Sequence, residues 1–355
     1  MPHPPEALAA ALRRQAGFCA ELGSPLWSKA MEAVAADIET GGRFGRFLAG
    51  WEGDLERGVL ALRLFGGFHY LALAGKAPAL AAQLPSTGGT TDGALWSALC
   101  EALAQHEDLL RRFLDNPPQT NEAGRSAIFL GGFLEIAARS GLPLALCEIG
   151  ASAGLNLCWD RFAYRLGAHR WAGTDPVLTL TADWRGPPPR LDLRPVVASR
   201  QACDRHPIRL AEPEARLRLQ GYVWPEHLDR LARLRTAMAL VRDMEIKVEE
   251  ADALDWTARR LAARPEGQAM VIYHSVVLQY LDAAAQARFA AMIAAAGAEA
   301  TASRPLAWLS YELASDEGGF ELHLAYWPGD AEGPWRRRLA IAQAHGRWIE
   351  WMGSS

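Results

Sequence analysis

The sequence predicts an α/β protein: a doubly wound, mostly parallel sheet, preceded by an all-helical N-terminal region and interrupted by an inserted β-hairpin excursion. Three observations predict it. Residues 5–142 carry apolar side chains at three- and four-residue spacing and no alternating β-branched run. From residue 143 onward, short apolar runs alternate with helical stretches, which calls for parallel strands covered by helices on both faces. The first of those runs closes on a glycine-rich turn, Gly150–Gly154, of the kind that leads a strand into a helix.

The 355 residues suffice for two domains. They are set at 1–142, a helical region able to act as a lid, and 143–355, a cofactor-binding domain with an insertion at about 163–194. Half of the residues are apolar and 22% are charged, which allows a full core. A net charge of −4, with acids and bases mixed along the chain, gives no reason to expect nucleic acid or an anionic membrane as a partner. A small molecule is the expected partner. The five cysteines, Cys19, Cys100, Cys147, Cys158 and Cys203, form no CxxC pair and no Cys/His group at zinc spacing, so no metal is expected. Met1–Glu6 lacks the basic and apolar regions of a signal peptide, and no apolar run approaches the roughly 18 residues of a membrane span. These features set the expectation of a cytoplasmic protein with reduced thiols.

In the N-terminal region the helical runs are Pro5–Leu22, Pro25–Thr40, Trp51–Leu73 and Leu95–Leu114, broken by Gly41-Gly42, Pro85–Gly93 and Asp115–Thr120. Leu64-Phe65-Gly66-Gly67-Phe68 is echoed by Phe129-Leu130-Gly131-Gly132-Phe133. Two copies are too few for a solenoid, and the glycines are expected to admit close helix packing. Beyond Gly141-Leu142-Pro143, Leu144–Ile149 reads as a first strand and Leu155–Phe162 as the helix after it. Pro195–Ala202 reads as the second strand, Pro213–Asp243 as a long helix and Glu245–Glu249 as the third strand. Ala269–Tyr273 is the most apolar run and the fourth strand, leading to a helix at Ala283–Ala296; Leu306–Glu312 is the fifth. The Gly-, Pro- and Trp-rich residues 163–194, with a β-like stretch at Val177–Asp183, form the excursion. After a short Ser315–Gly319 link, Phe320–Trp327, Arg337–Ala344 and Arg347–Trp351 are expected as antiparallel edge strands.

Ligands of doubly wound sheets sit beyond the carboxyl ends of the strands, where strand order reverses, so four turns carry the chemistry. In Glu148-Ile149-Gly150-Ala151-Ser152-Ala153-Gly154-Leu155-Asn156, Gly150 and Gly154 let the backbone pass close to a ligand. Ser152, Asn156 and the helix start offer polar groups to it. Glu148, an acid ending an apolar strand, needs a polar partner that a cationic ligand group would supply. Asp204 is placed to accept from vicinal ribose hydroxyls, and Asp252, with Ala253 after it, to accept from an exocyclic amine such as that of adenine. Asp255 is expected to cap the helix containing Arg259 and Arg260. In the fourth turn His274 is the candidate base, with Tyr280 beside it, while Ser275 and Gln279 would position a substrate. Asn121, Glu122 and Arg125 read either as a capping run or as a site wall that turns a guanidinium toward a carboxylate. Tyr222 and Trp224 read either as an aromatic wall or as packing.

At these turns the chain resembles class I methyltransferases that use S-adenosylmethionine, whose first motif is matched by Glu148, Gly150 and Gly154. More closely, it resembles a bacterial family catalogued as domain of unknown function 2332. That resemblance spans roughly residues 50 to 352. It rests on Gln119–Ser126, Gly150–Leu157, Asp183-Trp184-Arg185-Gly186, Asp204-Arg205-His206-Pro207, Val223-Trp224-Pro225-Glu226, Asp252–Asp255, His274-Ser275 and His345-Gly346. The resemblance implies a methyltransferase-like Rossmann fold. It also implies S-adenosylmethionine as cofactor, S-adenosylhomocysteine as product, and methyl transfer to a small-molecule acceptor. Glu148 and Asp204 stand about 55 residues apart because the excursion intervenes. Two alternatives belong to other classes. One is a cofactor-binding protein with the fold but no turnover. The other is a serine hydrolase using Ser152 in the G-x-S-x-G pattern of Gly150–Gly154, with Asp282 and His323 or His345 as partners.

Overall fold

The computed structural model describes residues 3–55, 59–314, 319–329 and 334–353. The chain divides into two units, Met1–Thr120 with Ala211–Arg235, and Asn121–Leu210 with Thr236–Ser355. Residues 121–142 and 211–235 therefore lie across the boundary from where the sequence reading puts them. Packing explains both shifts. In the helix Ser126–Ser140, a Cβ on Gly131 would lie 2.4 Å from the Trp351 ring and one on Gly132 2.6 Å from Leu309, so this helix is pressed onto sheet residues. In the helix Pro213–Gly221, a Cβ on Gly221 would lie 2.7 Å from the Gly66 carbonyl, inside the helical unit.

The first unit is helical in its described residues, with helices opened by proline at Pro5, Pro25, Pro78 and Pro213, where the missing N–H has no intrahelical partner to lose. Its core gathers Leu8, Leu12, Trp27, Met31, Val34, Phe44, Leu64, Phe65, Phe68 and Leu99. Of the run expected at Trp51–Leu73, Trp51–Leu55 is not helical and the helix is Leu60–Leu73, after Val59 at φ 46°; residues 56–58 lie outside the described residues. The expected Leu95–Leu114 helix breaks at His106. The expected Pro213–Asp243 helix breaks between Gly221 and Leu228, where Pro225 bars Trp224 from helical geometry. Within that break the Glu226 carboxylate accepts from Ser24 Oγ (2.5 Å) and Leu26 N (2.6 Å), satisfying the start of the helix Pro25–Glu39 from 200 residues away.

The second unit is built on one sheet. Its strands in chain order are β1 Leu144–Ile149, β2 Phe162–Leu166, β3 His169–Ala172, β4 Leu178–Arg185, β5 Val197–Asp204 and β6 Val248–Glu250. They continue with β7 Ala269–Ser275, β8 Leu306–Leu313, β9 Phe320–Trp327, β10 Trp335–Ala342 and β11 Trp348–Trp351. The spatial order is β3-β2-β4-β11-β10-β9-β8-β7-β1-β5-β6, and six of the ten neighbouring pairs are parallel. The five parallel strands β6-β5-β1-β7-β8 run as the pattern predicts, with the chain order reversing between β1 and β7. On one face, Met270 and Ile272 pack with Trp256, Phe289 and Ile293 of the helices Ala253–Ala262 and Ala283–Ala298. On the other, Tyr273 and Tyr311 meet Phe129 of the helix Ser126–Ser140, with ring centroids 5.4 and 6.3 Å away.

Three elements depart from expectation. The helix expected at Leu155–Phe162 is a 3-10 turn, Leu155–Arg161, followed at once by β2. The third strand begins at Val248, after Glu245 at φ 51°. The excursion lies within the sheet: β2 pairs with β4, and β4 with β11, so β9 and β10 are interior strands and β3 and β6 are the edges. The Asp183-Trp184-Arg185-Gly186 motif makes that seam. Asp183 N donates to Arg347 O (2.8 Å), Trp184 stacks on Trp351 at 5.6 Å, and Gly186 at φ 89° passes where a Cβ would lie 2.3 Å from the Trp351 carbonyl. Residues 315–318 of the expected Ser315–Gly319 link lie outside the described residues.

Candidate functional site

Every residue of β1 is buried, and the strand register sets Glu148 beside Tyr273 of β7. The Tyr273 hydroxyl donates to Glu148 Oε2 at 3.1 Å. Burial pushes the Glu148 carboxyl up to about 8, against the opposing pull of Tyr273, the Asn156 amide and the Arg125 guanidinium. Asn156 accepts from Ser126 Oγ (2.9 Å) through Oδ1. Its Nδ2 is near enough to stabilise the Glu148 charge but makes no hydrogen bond of good geometry.

The turn after β1 holds three left-handed residues, Gly150 (φ 64°), Ser152 (φ 53°) and Gly154 (φ 77°). Asp204, at the end of β5, pins it: Oδ2 accepts from Ser152 N and Oδ1 from His206 N, both at 2.8 Å. Ser152 Oγ is buried and makes no hydrogen bond among the described residues. Asn121 reaches across, its Oδ1 accepting from Leu155 N (3.1 Å), so it caps the 3-10 turn after β1. Glu122 accepts from Gly124 N (3.0 Å). Arg125 is buried: Nε donates to Ala344 O (3.0 Å) and Nη1 to Ser275 Oγ (3.1 Å). Gly124 and Gly346 interlock, each passing where the other segment's carbonyl would meet a Cβ at 2.5 and 2.4 Å. The motif residues of 121–126, 150–157 and 345–346 with Ser275, remote in sequence, thus converge on one polar cluster.

His274 does not serve as expected. It is fully buried, its Nδ1 donates to Glu312 Oε1 (2.6 Å) and its Nε2 accepts from Trp308 Nε1 (2.9 Å). Both ring nitrogens are committed, which leaves none to take a substrate proton. Glu312 also accepts from Val277 N (2.9 Å) and Leu278 N (3.2 Å), so one carboxylate holds the whole turn after β7. Sequence reasoning missed Glu312 and Trp308. The available signal was the one that exposed Glu148, an acid inside an apolar strand. The turn sets Val276 at φ 60° and seats Val277 on Gly150, where a Cβ would lie 2.4 Å from Val277 Cγ2.

The third acid has a structural task. Asp252 Oδ1 accepts from Leu254 N (2.9 Å) and Asp255 N (3.3 Å), so Asp252, and not Asp255, caps the helix that Ala253 opens. Its Oδ2 pairs with Arg205 at 3.0 Å. Beside it lies a cleft of about 490 Å³ lined by Arg205, Asp252, Asp255, Tyr280, Asp282 and Arg288, among others. Tyr280 is 73% exposed at its rim, and Gln279 is exposed but not among its lining residues. Tyr222 and Trp224 resolve as packing in the first unit. Tyr222 lies 6.0 Å from Phe113, ring to ring, and fills the space beside Gly66, while Trp224 lies against the helical core. No group of three His, Cys, Asp or Glu side chains at metal-binding distance occurs among the described residues. No described helix is long and apolar enough to cross a membrane.

These features define a mixed α/β protein whose polar cluster and cleft both lie at the carboxyl ends of adjacent parallel strands, flanking the point of reversal, where such sheets bind ligands. The chain belongs to the bacterial family described as "Uncharacterized protein conserved in bacteria (DUF2332)", which matches residues 9–351. No curated protein and no solved structure matches it.

Proposed function

We propose that the protein is an S-adenosylmethionine-dependent methyltransferase with a methyltransferase-like Rossmann sheet, acting on a small-molecule acceptor in the cytoplasm. The observation that carries this reading is the placement of Glu148, Asp204 and Asp252. Glu148 lies one residue before the end of β1, Asp204 ends β5 and Asp252 follows β6, on three neighbouring strands to one side of the reversal point. The residues fit the cofactor. The buried Ser152 Oγ and Asn156 Nδ2 lack partners next to a buried carboxyl, as a site for an amino acid moiety requires. Asp204 keeps lone pairs for hydroxyls beyond its two backbone donors, and the cleft at Asp252 and Tyr280 has room for a heterocycle.

When bound, the cofactor supplies a methyl group already activated on a sulfonium, so the chain's task is alignment. Glu148 would hold the ammonium end, ionising as it does so. Because its carboxyl stays protonated to about pH 8 without a cation, binding at pH 7 releases a proton. Tyr280 would orient the acceptor at the rim. With His274 committed to Glu312 and Trp308, acceptors that need no deprotonation are favoured. The same commitment favours, as a second reading, a cofactor-binding protein without turnover. The hydrolase alternative needs a base on Ser152, and no described group hydrogen-bonds its Oγ; Asp282 caps the helix Ala283–Ala298 and His323 pairs with Glu321.

Calorimetric titration with S-adenosylmethionine, S-adenosylhomocysteine, NAD and ATP tests the reading. Micromolar binding of the first two alone is expected, with loss of binding in Glu148→Ala and an apparent enthalpy that varies with the buffer's ionisation enthalpy. Absence of binding to a well-folded sample overturns it.

A further inference from the structure

The excursion carries its own cleft, of about 360 Å³, lined by Arg165, Arg170, Arg194, Tyr164, Trp171 and Thr179 among its residues. Three arginines and no acid line it, in a chain whose net charge is −4. Arg165 of β2 and Arg170 of β3 stand directly opposite each other in the antiparallel register, and both are exposed. Neither guanidinium has a hydrogen-bond or ion-pair partner among the described residues. Like charges directly opposite in a β-ladder oppose its formation, so the pair calls for a counter-charge that no described residue supplies.

Arg194 is already held in place. Its guanidinium lies 5.2 Å from the Trp171 ring centroid, and Nη1 donates to Leu191 O and Leu193 O at 2.8 Å each. Trp171 Nε1 donates to Leu193 O (2.9 Å), tying this loop to β3. Protection of a free sheet edge explains one charge on β3, the edge strand. It does not explain Arg165 on the interior strand behind it, nor Arg194 stacked on the ring.

We propose that this cleft is an anion site that takes a phosphoryl group, such as a diphosphate, through Arg165, Arg170 and Arg194. Guanidinium forks match the paired oxygens of a phosphate, and three cations call for a multiply charged anion where a single carboxylate would neutralise one. The hydroxyl of Thr179, on the strand next to β2, adds a neutral donor.

The test is titration of the full-length protein with inorganic pyrophosphate at fixed ionic strength, with chloride and acetate as controls. Saturable pyrophosphate binding is expected in the wild type, at least tenfold weaker in the Arg165→Ala/Arg170→Ala variant and in Arg194→Ala. It is expected to be unchanged in Glu148→Ala, which separates this site from the one proposed above. Without ligand, the double variant is expected to melt no lower than the wild type, because a repulsion is removed. Equal responses to pyrophosphate and chloride, or undiminished binding by the double variant, would overturn the proposal.

Discussion

At the scale of single residues, two carboxyl groups set the local chemistry, Glu148 buried and Glu312 half-buried. Glu148 holds its proton in the folded state up to about pH 8, while in the unfolded chain it ionises near the ordinary value of 4.5. Its contribution to stability is therefore complete below about pH 4.5 and is lost as pH rises through about 8. Glu148→Gln, which keeps the shape without the charge, is expected to flatten the fall in Tm between pH 5 and 8; an unchanged slope in a pH series of melts would refute the assignment. Glu312 carries the turn after β7 through His274, Val277 and Leu278. Glu312→Gln is expected to cost about 1.5–3 kcal/mol, the range for hydrogen bonds to a charged group, measured by denaturant unfolding. His274→Gln is expected to leave any methyl-transfer pH profile unshifted, since the ring is closed to solvent.

At the scale of elements, glycine works against its usual preference. In a helix interior, alanine normally stabilises relative to glycine by about 1 kcal/mol. Gly66 and Gly131 invert that sign, since a Cβ would meet the Tyr222 ring at 2.6 Å and the Trp351 ring at 2.4 Å. Gly131→Ala is expected to destabilise by about 1–3 kcal/mol through overpacking; a rise in Tm would show that the helix can shift away from Trp351. The turn after β7 is the other element with a defined consequence. Val277 occupies the space beside Gly150, so a ligand approaching the glycine turn must displace it. Val277→Ala is expected to raise affinity for S-adenosylmethionine severalfold in calorimetry, and lowered affinity would mean that the valine is part of the ligand's wall.

At the scale of the whole molecule, the two units are expected to answer pH in opposite senses. His69, in the first unit, is fully buried between Gly221 O and Ser86 Oγ, and burial lowers it to about 4. Its contribution is present above about 6.5 and is lost as pH falls through about 4. The first unit is therefore expected to lose stability toward acid and the second toward alkali, around Glu148. Hydrogen-exchange rates followed separately for residues 60–73 and 144–149 across pH 4–8 check this, and a common pH dependence would contradict it. The five cysteines are free thiols, and burial pushes Cys147, Cys158 and Cys203 up to about 12, so they add nothing to that profile.

The sequence by itself determined the strands β1, β5, β7 and β8 and most of the N-terminal helices, because each is a local pattern: apolar runs for the strands and three-to-four spacing for the helices, whereas β2 and β3 of the excursion carried no such pattern. It also placed the glycines of the two echoed motifs and the acids at the strand ends, which are marked by polarity inside apolar runs. Tertiary structure alone decided what those residues touch. That Asn121 caps the turn at Leu155, that Asp252 rather than Asp255 caps its helix, and that His274 is locked by Glu312 and Trp308 all depend on partners that local spacing does not specify. The joining of β4 to β11 depends on pairing between segments more than 160 residues apart, and the division of the chain at residue 120 depends on which surface each helix buries. Periodicity records which face of an element is apolar, and only packing records what that face meets.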